Sequence, residues 1–220
     1  MNIIILLIEI ILFSVSLLIV YKKYKYNGIY IWILLSSILS SIMVQKTVEI
    51  FDLELNLGFV LNTLVFTASN IIIQKKGPKE INKVIGIVIF SNICVYTLAI
   101  LSTLITNSNI NELTNKAYNN IFYLTNRAYF GNIISLCITL WINSVLYHQI
   151  RLIKNKIWIS NVLSTIITHF IESTMFCIIA FSFKLSPLNV IELITIRYIF
   201  KLIIGLISTS TLYATNSLNN

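Results

Sequence analysis

STIITHFIESTMF, Ser164 to Phe176, decides how this chain is read. It lies inside an apolar run from Trp158 to Phe183, longer than the roughly 20 residues that cross a bilayer core of about 30 Å. Yet it carries a histidine and a glutamate. Thr165, His169, Glu172 and Phe176 recur at intervals of four, three and four, so on a helix they share one face, with Ser164 and Thr168 beside it. A polar stripe on an otherwise lipid-loving helix must face a bundle interior or a water-filled cavity, because each ionisable group costs about 2.5–3.5 kcal/mol on insertion scales.

Around this stretch the composition fits a membrane protein and excludes an ordinary soluble domain: 57% of the 220 residues are hydrophobic and 11% charged. Two prolines and six glycines suit long helices with short connections, not the turn-rich pattern of a transmembrane barrel. The expected fold class is an all-α, polytopic integral membrane protein. Seven apolar windows fall at about 3–21, 29–45, 57–73, 84–106, 129–148, 159–183 and 190–213. The first has its basic cluster after it and is too long for a signal segment, so it reads as a retained helix. Cys94, Cys137 and Cys177 all fall within windows, at no metal-ligand spacing, and read as packing residues.

The charge of +8 sits mainly in loops. Lys22, Lys23, Lys25, Lys75, Lys76, Lys79, Lys83, Arg151, Lys154 and Lys156 fall in alternate loops, against Lys46, Lys116, Arg127 and Lys184 in the others. That asymmetry predicts a multi-pass protein of the cell membrane with its N-terminus outside and its C-terminus cytoplasmic. It accounts for the basic balance without nucleic acid, which is not expected as a partner; the bilayer is.

Other windows also hold polar residues. Thr63, Thr67, Asn70 and Gln74 repeat the four-three-four spacing in the third. Arg197 and Lys201 lie one turn apart in the last, with Glu172 as the natural counter-ion for one of them. Glu9, in the first, has no evident partner. Residues 1–28 read as an extra helix with its basic loop, ahead of a core at 29–220. Within that core, 29–106 and 118–213 form three-helix halves of opposite direction, each with its stripe on the middle helix. Inverted halves of this kind are a common organisation of transporters. The alternatives are a substrate-binding subunit that needs an energising partner, and a structural or regulatory bundle whose stripes are interhelical glue. An enzyme is least expected, and no cofactor or metal: there is no zinc motif, nucleophile elbow or phosphate loop, and one His169/Glu172 pair is too few ligands.

With these residues placed, the pattern resembles the queuosine precursor transporter family, also called the vitamin uptake transporter (VUT) family, from about Ser40 to Tyr213. GFVLNTLVFTASNIIIQKKGPKE supplies Gly58, Phe66, Asn70, Gln74 and Gly77 at the family's spacing, with Asn70 and Gln74 where aspartate and glutamate are usual and Thr63 at a proline position. Arg127 matches an arginine ahead of the fifth helix. In WINS, Asn143 replaces an aspartate and Leu140 stands at a glutamine position. WISNVLSTIITHFIESTMF gives Trp158, Asn161, Ser164, Thr165, Thr168, His169, Glu172 and Phe176, and Tyr198 with Lys201 matches the last element. The resemblance implies a small-molecule carrier for a 7-deazaguanine base or queuine. It implies binding residues Phe66, Asn70, Gln74, Arg127, Asn143, Thr165, His169, Glu172, Phe176 and Lys201. Carboxylate and amides would read the edges of the base, and aromatics would stack on it. Amides cannot exchange protons, so proton coupling would rest on Glu172 and His169, and a facilitator would need neither. A homo-oligomer is left open.

Overall fold

The computed structural model describes residues 2–50, 53–105, 112–123 and 126–218. Helix α1 spans Asn2–Met43 and breaks at Lys25 (φ 52°, ψ −134°) into two arms. A hairpin of β1 (Thr47–Ile50) and β2 (Leu53–Asn56) follows, pairing Thr47 with Asn56 and Ile50 with Leu53. Then come α2 (Phe59–Lys76), a single 3₁₀ turn at Pro78–Glu80, α3 (Ile81–Thr103), α4 (Glu112–Tyr123), α5 (Asn126–Lys154), α6 (Ile157–Phe181) and α7 (Pro187–Ser217).

All seven apolar windows fall largely on helix, the first two sharing α1. Four helices among the described residues are long and apolar enough to cross a membrane by length and composition: α1, α3 with its preceding turn, α5 and α6. α2 and α7 miss that measure because polar residues, including Arg197 and Lys201, lie along them. The all-helical, polytopic expectation therefore holds, with two additions. The hairpin and α4 occupy stretches that read as loops, since segments so short and polar carry no membrane-length signal.

Successive long segments alternate in direction. Asn2 donates to the Glu49 carbonyl at 2.7 Å, bringing the start of α1 to the hairpin. Tyr30, just past the break, donates to Glu80 at 2.6 Å, and Lys76 lies over the Tyr26 and Tyr30 rings. That end, reached also by the end of α5 and the start of α6, gathers the larger basic group; Arg127 and Lys184 lie at the opposite end.

The bundle is arranged around α2, whose residues from Phe59 to Ile73 are all buried. Its neighbours present large apolar side chains outward, as with Ile8, Ile11 and Ile19 on α1, Phe90 and Leu98 on α3, Phe170 on α6 and Ile199 and Leu206 on α7. In lipid such exposure is solvation, and helix association must come from packing and interhelical polar contacts. The first arm of α1 packs through the narrow stripe Leu6, Ile10, Leu17 and Tyr21, tied to the second arm by a Trp32 to Ser16 hydrogen bond of 2.9 Å. Gly58 sets the entry to α2: its φ is +94°, and a Cβ there would stand 2.5 Å from the Ser40 carbonyl oxygen. Gly58→Ala is expected to destabilise the protein by about 1–3 kcal/mol, from strain and close approach together. Thermal unfolding in mild detergent checks this; an unchanged midpoint would mean that the approach of α1 to α2 is not tight.

Candidate functional site

The polar stripes of α2, α5, α6 and α7 converge into two layers. In one, Glu172 meets both cations of α7: Arg197 Nη2 donates to Oε1 at 3.3 Å, and Lys201 pairs with Oε2. Glu172 and Lys201 have no exposed side-chain surface and Arg197 has 3%, so the expectation of one partner for Glu172 is exceeded. The reason lies in periodicity: positions 197 and 201 are one turn apart on a face turned to α6, so one carboxylate reaches both. The Arg197 guanidinium also lies over the Phe176 ring, 3.9 Å from its centroid. α2 joins this layer through Asn62, whose Nδ2 donates to Asn132 Oδ1 at 2.7 Å and reaches Glu172 Oε1 at 3.5 Å. Ser40 donates to Asn62 Oδ1 at 2.7 Å, and Asn132 donates to Ser40 and Ser41, each at 3.2 Å.

The second layer is a directional ladder. Asn143 donates to Asn70 at 2.7 Å, Asn70 to Asn161 at 2.8 Å, and Asn161 to Thr209 at 2.8 Å, crossing from α5 to α2, α6 and α7. Thr67 and Ser208 are linked beside it at 2.7 Å. From Asn161 to Glu172 is eleven residues of α6, about 16 Å of rise.

Between the layers lies His169, fully buried, with neither ring nitrogen hydrogen-bonded among the described residues. Phe66 meets its ring edge-on at a centroid distance of 4.9 Å, and Gly205 faces its Nε2. Asn143 Oδ1 and Arg197 Nε and Nη1 are likewise buried with no hydrogen-bond partner among the described residues. Buried polar groups are normally satisfied, so this set is what a ligand-binding site would contain. Toward the basic end, a cavity of about 500 Å³ opens one turn beyond the ladder, lined by Gln74, Lys75, Tyr147, His148, Arg151 and Asn216 among others. Gln74 bonds the Tyr147 hydroxyl at its wall.

Of the ten residues expected at the site, nine lie in the layers, between them or at this cavity. Thr165 turns its hydroxyl back onto the Asn161 carbonyl at 2.8 Å, leaving it beside His169 without a bond across the bundle. Arg127 is the exception. It is exposed at the start of α5, where its guanidinium stacks on Phe183 at 4.3 Å, apart from the buried cluster. Glu9 is half-buried on α1, and its Oε1 is buried with no hydrogen-bond partner among the described residues. Asn62 and Asn132 were not anticipated, although Asn62 precedes Phe66 and Asn70 at steps of four, and Asn132 precedes Thr139 and Asn143 at steps of seven and four.

A helical membrane bundle with a charged, hydrogen-bonded interior and a cavity leading toward it defines the class. The chain belongs to the family described as "Putative vitamin uptake transporter", which it matches over residues 56–215. It is 25% identical over 133 residues to a Bacillus subtilis (strain 168) protein named "Probable queuosine precursor transporter", across 60% of this chain and 58% of that one. The chain thus matches well under two thirds of that relative's length. No solved structure matches.

The ion cluster makes a quantitative expectation. Glu172→Gln leaves two buried cations unpaired and should cost about 3–5 kcal/mol. Adding Lys201→Met should recover a substantial part of that loss. Unfolding midpoints of the single and double variants give the coupling, and strictly additive losses would mean that Lys201 and Glu172 do not act as a pair.

Proposed function

We propose that this protein is a membrane transporter that imports a 7-deazaguanine base, queuine or a related small heterocycle across the cell membrane. The observation that carries the reading is His169, buried between two polar layers with neither ring nitrogen hydrogen-bonded among the described residues. A merely adhesive interior would be expected to satisfy its own members, as the asparagine ladder largely does; among the described residues the His169 ring nitrogens, Asn143 Oδ1 and Arg197 Nε and Nη1 have no hydrogen-bond partner. A guanine-like base offers chemistry that matches the ion-cluster side of His169: an acceptor for Arg197 Nε and Nη1, a donor or acceptor for imidazole, and a ring face for Phe66. The family membership and the relative's name support the same substrate class.

On this reading the halves at 29–106 and 118–213 meet at the layers, with α2 and α6 as their middle helices, and the protein does no covalent chemistry. The basic end faces the cytoplasm, so the cavity at Gln74 and Arg151 is the cytoplasmic mouth of the route. Asn62, Asn132 and Ser40 close the other side.

Queuosine in the tRNA of a host that lacks its own carrier and precursor synthesis, fed each precursor at limiting concentration, tests the reading. Expression of this chain should restore it, and Glu172→Gln should lower restoration at least about tenfold. No restoration by a protein shown to be folded in the membrane would overturn the assignment. The orientation has a separate check. Cysteine introduced at Lys23 should label with an impermeant maleimide only after permeabilisation, and one at Glu54 should label in intact cells; the reverse pattern would invert the route.

A further inference from the structure

We propose that the site excludes ammonium-bearing ligands, and that the heterocycle it accepts is neutral or carries a negative charge. This rests on the transport reading above and specifies the substrate within it, setting aside queuine, whose side-chain amine is protonated at neutral pH.

The argument is a charge count. Among the described residues, the buried acidic and basic side chains are Glu172, Arg197 and Lys201, with His169 between the layers. Two cations already hold the two oxygens of the single carboxylate. With both charged, the cluster carries an excess of one positive charge; if Lys201 gives up its proton, the excess is zero. In neither state is there negative charge to spare for an incoming cation. The ladder offers amides and hydroxyls at Asn70, Asn143, Asn161 and Thr209, which supply hydrogen bonds and no charge.

The cytoplasmic mouth, where an imported ligand leaves, has the same sign. Lys75, His148 and Arg151 line the cavity at the basic end, no carboxylate is among its lining residues, and Arg151 Nη1 has no hydrogen-bond partner among the described residues. A cation on this route would lose its hydration against like charges, whereas an anion would neutralise the cluster and find Arg197 Nε and Nη1 free to donate.

Three forms of one base separate the alternatives, differing only in the group at position 7: nitrile, carboxylate and aminomethyl. Each is supplied to cells that express the chain and lack their own carrier, and the accumulated base is measured by mass spectrometry. Nitrile or carboxylate forms should accumulate at least about tenfold more than the aminomethyl form. In Asn161→Asp the new carboxylate can still accept from Asn70, and the bond that Asn161 donates to Thr209 is kept only if the Thr209 hydroxyl turns from the Gly205 carbonyl to donate to it; this variant should gain accumulation of the aminomethyl base. Equal accumulation of the aminomethyl form by the unaltered protein would overturn the charge rule and leave the transport reading standing. If no form accumulates, the transport reading fails. Thermal stabilisation of the purified protein by each form then decides the charge rule: stabilisation by the nitrile or carboxylate alone sustains it, and stabilisation by the aminomethyl form or by none overturns it.

Discussion

Three charges buried where lipid surrounds the protein set the terms for the rest of the fold. Glu172 could not be carried on α6 without Arg197 and Lys201, and neither cation could be carried on α7 without Glu172. Pairing fixes the rotation of both helices about their axes, since a turn of one residue, about 100°, would swing the carboxylate toward lipid. Once α6 and α7 are fixed, Asn161 and Thr209 can meet farther along the bundle, because 161 to 172 is about three turns of α6 and 201 to 209 about two turns of α7, which keeps each near the same face. The second layer is thus geometrically consistent with the first.

The polar interior also explains why α2 can be buried on every side. A helix surrounded by other helices gains little from being apolar when the alternative solvent is hydrocarbon, so its contribution lies in close packing and hydrogen bonds. Asn62, Thr67 and Asn70 supply one bond or more each to α5, α6 or α7. Gly58 lets the helix start against the Ser40 carbonyl, and the Ser40 hydroxyl in turn accepts from Asn132 and donates to Asn62. Sequence small enough for contact and polar enough for bonding is what such a position demands.

Much of this was legible in the sequence, and the gaps have physical causes. Apolar length placed the seven windows, and the four-three-four spacings of α2 and α6 placed Asn70, His169 and Glu172 inside. The pairing of Glu172 with α7 followed from the cost of leaving charge unpaired. That Glu172 would hold both cations could not be read, because it depends on the separation of two helices and not on either one. Asn62 and Asn132 were missed since a lone asparagine in an apolar run is ambiguous until its partner on another helix is known. Arg127 was drawn toward the site by resemblance, while its exposure depends on where α5 begins. The hairpin at 47–56 and α4 escaped because hydropathy reports the bilayer and says nothing of what lies at its surface.

The way the two groups of helices are joined bears on whether they can part. Between α2 and the group α5, α6 and α7, the polar contacts are hydrogen bonds centred on Asn62, Thr67, Asn70 and Gln74, beside apolar packing that includes the ring contacts of Phe59 with Phe200 and Phe66 with His169. Each such bond within a membrane averages about 0.6 kcal/mol and reaches about 1.7 at most. A handful of them is strong enough to hold one arrangement and weak enough to be exchanged for another by a ligand that binds the two unequally. The ion cluster lies almost wholly within one group, on α6 and α7, so parting the groups would leave it intact. The expensive charges therefore sit where the proposed carrier would move as a rigid body, and the inexpensive amides sit where it would open.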